Sequence, residues 1–487
     1  MKNSFSLVAL FRNKVLVYAI SRYLVSGVSF LTSLILAVKL GSYFLGIWGF
    51  ILLLRRYFQL INFGIPDSTT VLLIKCKDNN TLSADYIKSS VGWILLLSGV
   101  IILFAISHSI FNYPFISRYG LTWEFYIVCI TSCLTLLNDL FQKIARVRGR
   151  VFELTFYQSI IQILSFAIVL ICNTNLIPCL VLVYLLGNIL SMYLFVKNGN
   201  FPFTGKFRLG IAKEIIRKGI YIFLYNFFFY LVMMFTRTII SSSYEIADFG
   251  NFTFAYTLAN SIILLVDAVA ALLIPKLLDK YNTNDTNAIN QTIAQIRVNY
   301  MHVSYILLFV MLIFFTILLK FFKDYNMSFS VVVYTSMTIA LQSHSFAYTT
   351  LLLTKNKEKE LALCSMVAVF ANVALVSLYA YYFHLPYQYL VLATWVSYAI
   401  HAILCIYFAR KTVNESGISV WGIIAECFPL SISMPTLCLF SIAYTDQRII
   451  IFLPLVLYIL LNQSVFKHIA LSLKKIIVNP NIVDIKK

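Results

Sequence analysis

Apolar residues fill this chain in long runs separated by short polar stretches, and that alternation is its first structural signal. The runs at 15–40, 91–107 and 298–319 are typical. A helix rises about 1.5 Å per residue, so ~20 apolar residues cross ~30 Å of hydrocarbon. The pattern predicts helices at 14–38, 44–65, 87–107, 122–142, 152–172, 177–196, 217–241, 250–275, 298–319, 329–353, 361–383, 387–409, 420–443 and 448–466. The fold expected is an all-α polytopic membrane protein of about 14 transmembrane helices. The first run is about 25 residues, longer than the ~7–15 of a leader's apolar core, and no small-x-small cleavage site follows it. It is read as a retained span.

The positive charges test this map. Cytoplasmic loops carry an excess of Lys and Arg. With both termini inside, 29 of the 38 Lys and Arg fall on the cytoplasmic side, five fall outside, and four lie within spans. A wrong helix count would scramble that asymmetry. It also explains a net charge of +19, which is spread over short loops with no basic stripe or recognition motif for nucleic acid. With 60% hydrophobic and 12% charged residues the composition agrees with the membrane reading. The nine Cys are scattered and read as small buried hydrophobes, with no disulfide framework or metal cluster.

An internal echo divides the chain. Ser42-Tyr43-Phe44-Leu45-Gly46-Ile47-Trp48-Gly49 aligns with Ser243-Tyr244-Glu245-Ile246-Ala247-Asp248-Phe249-Gly250 at an offset of 201 residues, each segment following the first helix of a six-helix set. An even number of helices keeps both sets in the same orientation, so a parallel repeat is expected. The domain reading is an N-lobe at 1–200, a cytoplasmic linker at 201–216, a C-lobe at 217–412, and two further helices with a basic tail at 413–487. The end of the linker is amphipathic, with Phe207, Ile211 and Ile215 on one face, and reads either as an interfacial helix on anionic lipid or as an ordinary basic loop.

Four arginines lie inside the apolar runs: Arg22, Arg55, Arg56 and Arg237. A guanidinium keeps its proton, so within a bilayer its charge must be met by water, a counter-ion or an anionic ligand. Arg22 and Arg55 lie eight to ten residues from the inner boundary, at a depth of ~12–15 Å. Arg56 is rotated by ~100° from Arg55 and faces elsewhere. Arg237 lies toward the outer end of its helix, where it either lines an exit or snorkels. Among acids, Asp267 is placed to pair with an arginine or to bind a coupling proton or cation, with Asp139 and Glu426 near inner helix ends as further candidates for coupling or charge pairing. Gln59, Asn62, Asn226 and Asn260 are candidate linings of a polar cavity, or interhelical hydrogen-bonding groups. There is no P-loop, no dinucleotide loop, no His-Glu-x-x-His and no nucleophile elbow. A transporter without enzymatic activity or cofactor is expected.

The chain resembles the Wzx-type O-antigen flippases of the polysaccharide-export branch of the multidrug/oligosaccharidyl-lipid/polysaccharide superfamily. The likeness covers nearly the whole chain. It rests on Ser21-Arg22, the turn Lys39-Leu40-Gly41 followed by Leu45-Gly46-Ile47-Trp48-Gly49, Arg55-Arg56, and the exit Asn62-Phe63-Gly64-Ile65-Pro66. The resemblance implies two six-helix lobes in a V-shaped (MATE-like) arrangement, plus two C-terminal helices. It implies a bacterial inner-membrane protein that moves an undecaprenyl-diphosphate-linked oligosaccharide outward for lipopolysaccharide synthesis by alternating access, coupled to a proton or cation gradient. Its partners would be that lipid-linked oligosaccharide, membrane lipids and other membrane proteins of polysaccharide assembly, with no nucleic acid. On the same resemblance Arg22, Arg55 and Arg56 match cavity arginines, and Arg237 matches more loosely. Two rivals are an exporter of cationic drugs on the same fold, which calls for acidic cavity groups, and a polysaccharide polymerase or ligase, which calls for a large external loop.

Overall fold

A computed structural model describes residues 14–76, 79–198, 204–283, 285–413 and 419–463; within that range the side chains of 14–22, 151–152, 263–276, 278–279 and 326–327 are not described. The described chain forms helices and no strand. Nine of its helices are long and apolar enough to cross a membrane, or ten if one bent pair counts as a single span. The chain divides into two compact units, Met1–Thr253 and Phe254–Lys487.

In the first unit, α1 (Lys14–Leu60) joins the first two predicted spans through a break at Gly41, where φ is 68°. Only glycine adopts that conformation without strain, so the Lys39-Leu40-Gly41 turn keeps its place while helical geometry resumes on both sides. Two residues in the left-handed region, Phe63 (φ 48°) and Gly64 (φ 69°), then break the helix. The Asn62 side chain accepts a hydrogen bond from the Gly64 N–H at 2.9 Å, and Pro66 follows at the start of α2 (Ile65–Lys75). This exit motif is thus a tight turn closed by the Asn62 side chain, with Pro66 in the first turn of the helix that follows. Next come α3 (Asn80–Phe111), the short α4 (Pro114–Ser117), α5 (Trp123–Val147), α6 (Val151–Ile171), α7 (Leu176–Asn198) and α8 (Leu209–Ser243). α5 packs on α7, α6 lies against both α7 and α1, and α8 contacts α2 and α3.

The approach to α8 is strapped to the first unit. Arg208 pairs with Asp85 at 3.0 Å, the Lys206 N–H donates to the same carboxylate at 2.7 Å, and Phe207 lies over Gly92.

α9 (Ile246–Tyr281) begins in the first unit. The echo segments meet there: a Cβ on Gly46 would lie 2.1 Å from the Ile246 carbonyl oxygen, and one on Gly250 would lie 1.7 Å from that of Ser42. Gly46 and Gly250 therefore serve a close approach of two backbones, and Gly49, which aligns with Gly250, leaves room for the Thr253 side chain.

The second unit continues with α10 (Thr286–Leu319), α11 (Phe329–Leu341), α12 (Phe346–Thr354), α13 (Glu358–Ser377), α14 (Tyr387–Thr412), α15 (Val420–Cys427), α16 (Leu430–Thr445) and α17 (Leu453–Leu461). Two predicted spans are broken. The segment 329–353 is interrupted by a 3-10 turn at Gln342–His344. The segment 420–443 bends by 64° between α15 and α16. Phe428-Pro429 supplies the second break, because proline lacks the N–H and excludes a helical predecessor. Nothing in the hydropathy of either segment distinguishes a broken helix from a straight one.

Candidate functional site

The last turns of α1 carry two of the charges that the apolar pattern singled out. Arg55 and Arg56 are both half-buried and point at different helices, as adjacent positions on a helix must. The Arg55 guanidinium lies 4.1 Å from the ring centroid of Tyr184 on α7. That of Arg56 lies 4.5 Å from Tyr230 on α8 and donates to Gln59 Oε1 at 3.4 Å. An aromatic face offsets part of a cation's desolvation without occupying its in-plane donors. Consistent with this, Arg55 Nε is buried with no hydrogen-bond partner among the described residues. Arg55 also borders a narrow crevice lined by Trp48, Ile51, Val128, Thr131, Val181 and Tyr184.

Asp139 on α5 faces this pair. Its carboxylate interacts electrostatically with Arg56, Lys143 and Arg55, and with Asp67 as a like charge. Asp67 in turn forms an ion pair with Lys143 at 2.5 Å. The half-buried cluster thus holds three cations and two carboxylates, and keeps a net positive charge. The helix under Asp139 is fixed by Asn138, whose amide donates to the side chain and backbone oxygens of Asn188 on α7 at 3.1 and 3.0 Å. Thr135 adds a third contact to the same Asn188 at 3.2 Å. This buried amide network is interhelical glue that holds the carboxylate-bearing turn in place.

The remaining predicted residues separate. Arg22 and Asp267 lie on α1 and α9, and their side chains fall outside the described residues. Arg237 is only 7% exposed, its guanidinium 6.0 Å from the centroid of Phe249, so it is held inside the unit. Asn62 caps the exit turn described above. Asn226 is half-buried on α8 one turn before Tyr230, on the face that receives Arg56. Asn260 is half-buried on α9, in the second unit.

Glu426 is fully engaged. Its carboxylate takes Arg410 through both oxygens, at 2.5 and 3.2 Å, and Arg297 at 3.0 Å, and accepts a hydrogen bond from Tyr348. Arg410 also reaches Asn290 at 3.3 Å. Of coupling and charge pairing, the two roles the sequence left open for Glu426, this geometry serves pairing.

Sequence reasoning missed the histidines beside this knot. His344, in the 3-10 turn, meets the Cys427 carbonyl at 2.6 Å and the Tyr305 hydroxyl at 2.9 Å. The Cys427 carbonyl belongs to the last turn of α15, where no intrahelical donor exists. Two helix breaks thus satisfy each other. His302 bonds to Tyr458 on α17 in the same unit. A lone histidine in an apolar run gives no signal of such a partner.

A cavity of about 380 Å³ opens elsewhere in the first unit. Its walls are mostly apolar, including Phe50, Leu53, Tyr57 and Phe115, with Arg118 and Thr238 among its polar edges. Of the described arginines Arg55, Arg56 and Arg237, none lines it. Arg118 caps the end of α8, donating to the carbonyls of Ser242 and, at 2.5 Å, Tyr244.

Comparison with known proteins agrees with this architecture. An inward-facing multidrug resistance transporter of the MATE family, in the MOP superfamily, superimposes with a TM-score of 0.66 at 11% identity over 82% of this chain and 100% of its own. The lipid II flippase MurJ in an inward closed conformation gives 0.66 at 14% identity over 94% and 99%. A MATE protein in its straight conformation gives 0.57 at 13% identity over 84% and 99%. At these identities the likeness is one of fold. No curated protein sequence matches the chain. The family model described as polysaccharide biosynthesis protein matches residues 11–280, more than half of the sequence and all of the arginine cluster. This chain is therefore a multi-pass helical membrane protein with a MATE-like fold, and it belongs to the polysaccharide biosynthesis protein family.

Proposed function

We propose that this protein is a Wzx-type flippase that carries a polyprenyl-diphosphate-linked oligosaccharide, such as an O-antigen repeat unit, from the cytoplasmic to the periplasmic leaflet of the bacterial inner membrane. The observation that carries this reading is the Arg55–Arg56 pair, held in an apolar span by aromatic faces with part of its hydrogen-bonding capacity unspent. A diphosphate presents charged oxygens that suit the planar guanidinium fork. The sugars follow through a wet polar route, and the polyprenyl tail stays in lipid. Arg22 joins the pair by its matching depth, and Arg237 serves the outward end of the path. Gln59 and Asn226, beside Arg56, would contact the first sugars.

Asp139 is the resident counter-ion in this reading. It offsets part of the arginines' charge through space when cargo is absent and yields to the stronger charge of a diphosphate. Transport proceeds by alternating access of two six-helix lobes with both termini cytoplasmic, driven by a proton or cation gradient, with Asp267 a candidate carrier. The chain does no chemistry on its cargo. An exporter of cationic drugs on the same fold is disfavoured by the excess of positive charge around Arg55.

The experiment is complementation of a strain lacking its flippase. Wild type restores surface glycan, Arg55→Ala does not, and Arg55→Lys restores it in part. Full restoration by Arg55→Ala at equal membrane abundance would overturn the reading.

A further inference from the structure

The start of α8 is a charged surface that the arginine site does not use. Its level in the membrane is set by α3, whose apolar run begins at Val91, just after Lys88. Phe207 lies over Gly92, Trp93 Nε1 donates to the Ala212 carbonyl at 3.1 Å, and the Tyr86 hydroxyl donates to Glu214 at 2.8 Å. Residues 207–214 therefore stay level with residues 86–93, at the edge of the hydrocarbon. Lys206, Lys213, Arg217 and Lys218 are exposed there, beside Phe207 at 49% and Leu209 at 70% exposure. Leu209, Lys213 and Arg217 recur every four residues and form one stripe, while Ala212, Ile215 and Gly219 are buried on the other face.

The acids nearby are spent inward. Asp85 takes Arg208 at 3.0 Å and the Lys206 N–H at 2.7 Å, and Glu214 accepts from Tyr86. Among the described residues no ion pair involves Lys206, Lys213, Arg217 or Lys218. Three other loop cations are taken by their own chain. Arg150 meets Glu153 at 3.3 Å, Lys357 meets Glu360 at 3.2 Å, and Lys355 donates to the Thr283 carbonyl at 2.9 Å. Unspent cations beside exposed apolar side chains supply both halves of a lipid contact, charge for a phosphate and hydrocarbon for the chains.

We infer that the start of α8 docks anionic phospholipids of the bilayer, their phosphates on Lys213 and Arg217 and their first acyl carbons against Phe207 and Leu209. In the orientation proposed above this is the cytoplasmic leaflet. The long stems of Lys213 and Arg217 lie along the apolar edge while their heads reach the phosphates. α8 also carries Tyr230, the ring that meets Arg56, so the lipid anchors one helix of the arginine site.

Trp93, bonded to the turn beside Lys213, is a native reporter of this surface. The full-length protein is placed in phosphatidylcholine nanodiscs containing a minority of phosphatidylglycerol or phosphatidylcholine brominated on the upper acyl carbons. Subtracting the quenching seen in Trp93→Phe isolates the share of Trp93. The expected result is stronger quenching by brominated phosphatidylglycerol than by brominated phosphatidylcholine at equal mole fraction. Each cation removed lowers that preference roughly fivefold, so the double substitution Lys213→Gln and Arg217→Gln abolishes it, while Lys213→Arg retains it. Equal quenching by the two lipids, or a preference that survives the double substitution, overturns the inference. Loss of the preference on adding inorganic phosphate at constant ionic strength would overturn the lipid assignment in favour of a site for bare phosphate. The measurement uses neither cargo nor transport. Arg55→Ala shows the full preference while failing to restore surface glycan, so each inference fails on its own readout.

Discussion

The arginines of the two units face acidic partners in opposite ways. In the second unit, Arg297 and Arg410 close onto Glu426 at 2.5–3.2 Å, Tyr348 bonds to the same carboxylate, and Asn290 fills a further donor of Arg410. In the first unit, Arg55 and Arg56 rest on Tyr184 and Tyr230, and Asp139 acts on them through space. Among the described residues no ion pair within 4 Å joins Asp139 to either arginine. A guanidinium whose donors are used by its own chain has little left for a ligand; one held by a ring face keeps its in-plane donors. The same residue type is spent on an ion pair in one unit and rests on a ring face in the other, and burial alone does not tell them apart.

The largest expected effect breaks the closed arrangement. Glu426→Ala leaves two mostly buried arginines facing each other and is expected to cost about 3–5 kcal/mol of stability. A detergent-solubilised melting curve should show a large fall in Tm, with glycan transport per folded molecule little changed; an unchanged Tm would show that the knot is dispensable. Next is Arg55→Ala, which removes charge-assisted contacts of about 1.5–3 kcal/mol and so weakens diphosphate binding roughly 10- to 100-fold. Binding of a short-chain isoprenyl diphosphate to the purified protein measures this, and an unaltered Kd would remove Arg55 from the site.

Packing at the echo glycines comes third. Gly250→Ala places a methyl group against the Ser42 carbonyl, and strain of about 1–3 kcal/mol is expected as a lower Tm, with Gly99→Ala, where a Cβ meets open space, as the neutral control. The smallest effect sharpens the comparison most. Asp139→Asn removes the competing charge and should tighten diphosphate binding by about 1 kcal/mol, roughly fivefold. Weaker binding in Asp139→Asn would mean that the carboxylate organises the arginines rather than competing for them.

Much of the site was legible because an arginine in an apolar run is rare and its cost is physical. Arg55, Arg56, Asp139 and Glu426 all stood out before any contact was known. Their partners did not. Tyr184 and Tyr230 are two of 31 tyrosines, and nothing along the chain says which of them a guanidinium will meet. His344 and Cys427 lie 83 residues apart and are joined because two helix ends happen to expose complementary groups.

The sequence by itself determined the membrane class, the position of most spans, the turn at Gly41 and which charges lie within apolar runs. These depend on hydropathy and on local backbone conformation, which are properties of neighbouring residues. Tertiary structure alone decided that α11 and α15 end where they meet, that Glu426 is consumed by two arginines, and that Arg55 is not. Those outcomes depend on which side chains arrive within ~4 Å from distant parts of the chain, and charge interactions in a low dielectric are settled at that range.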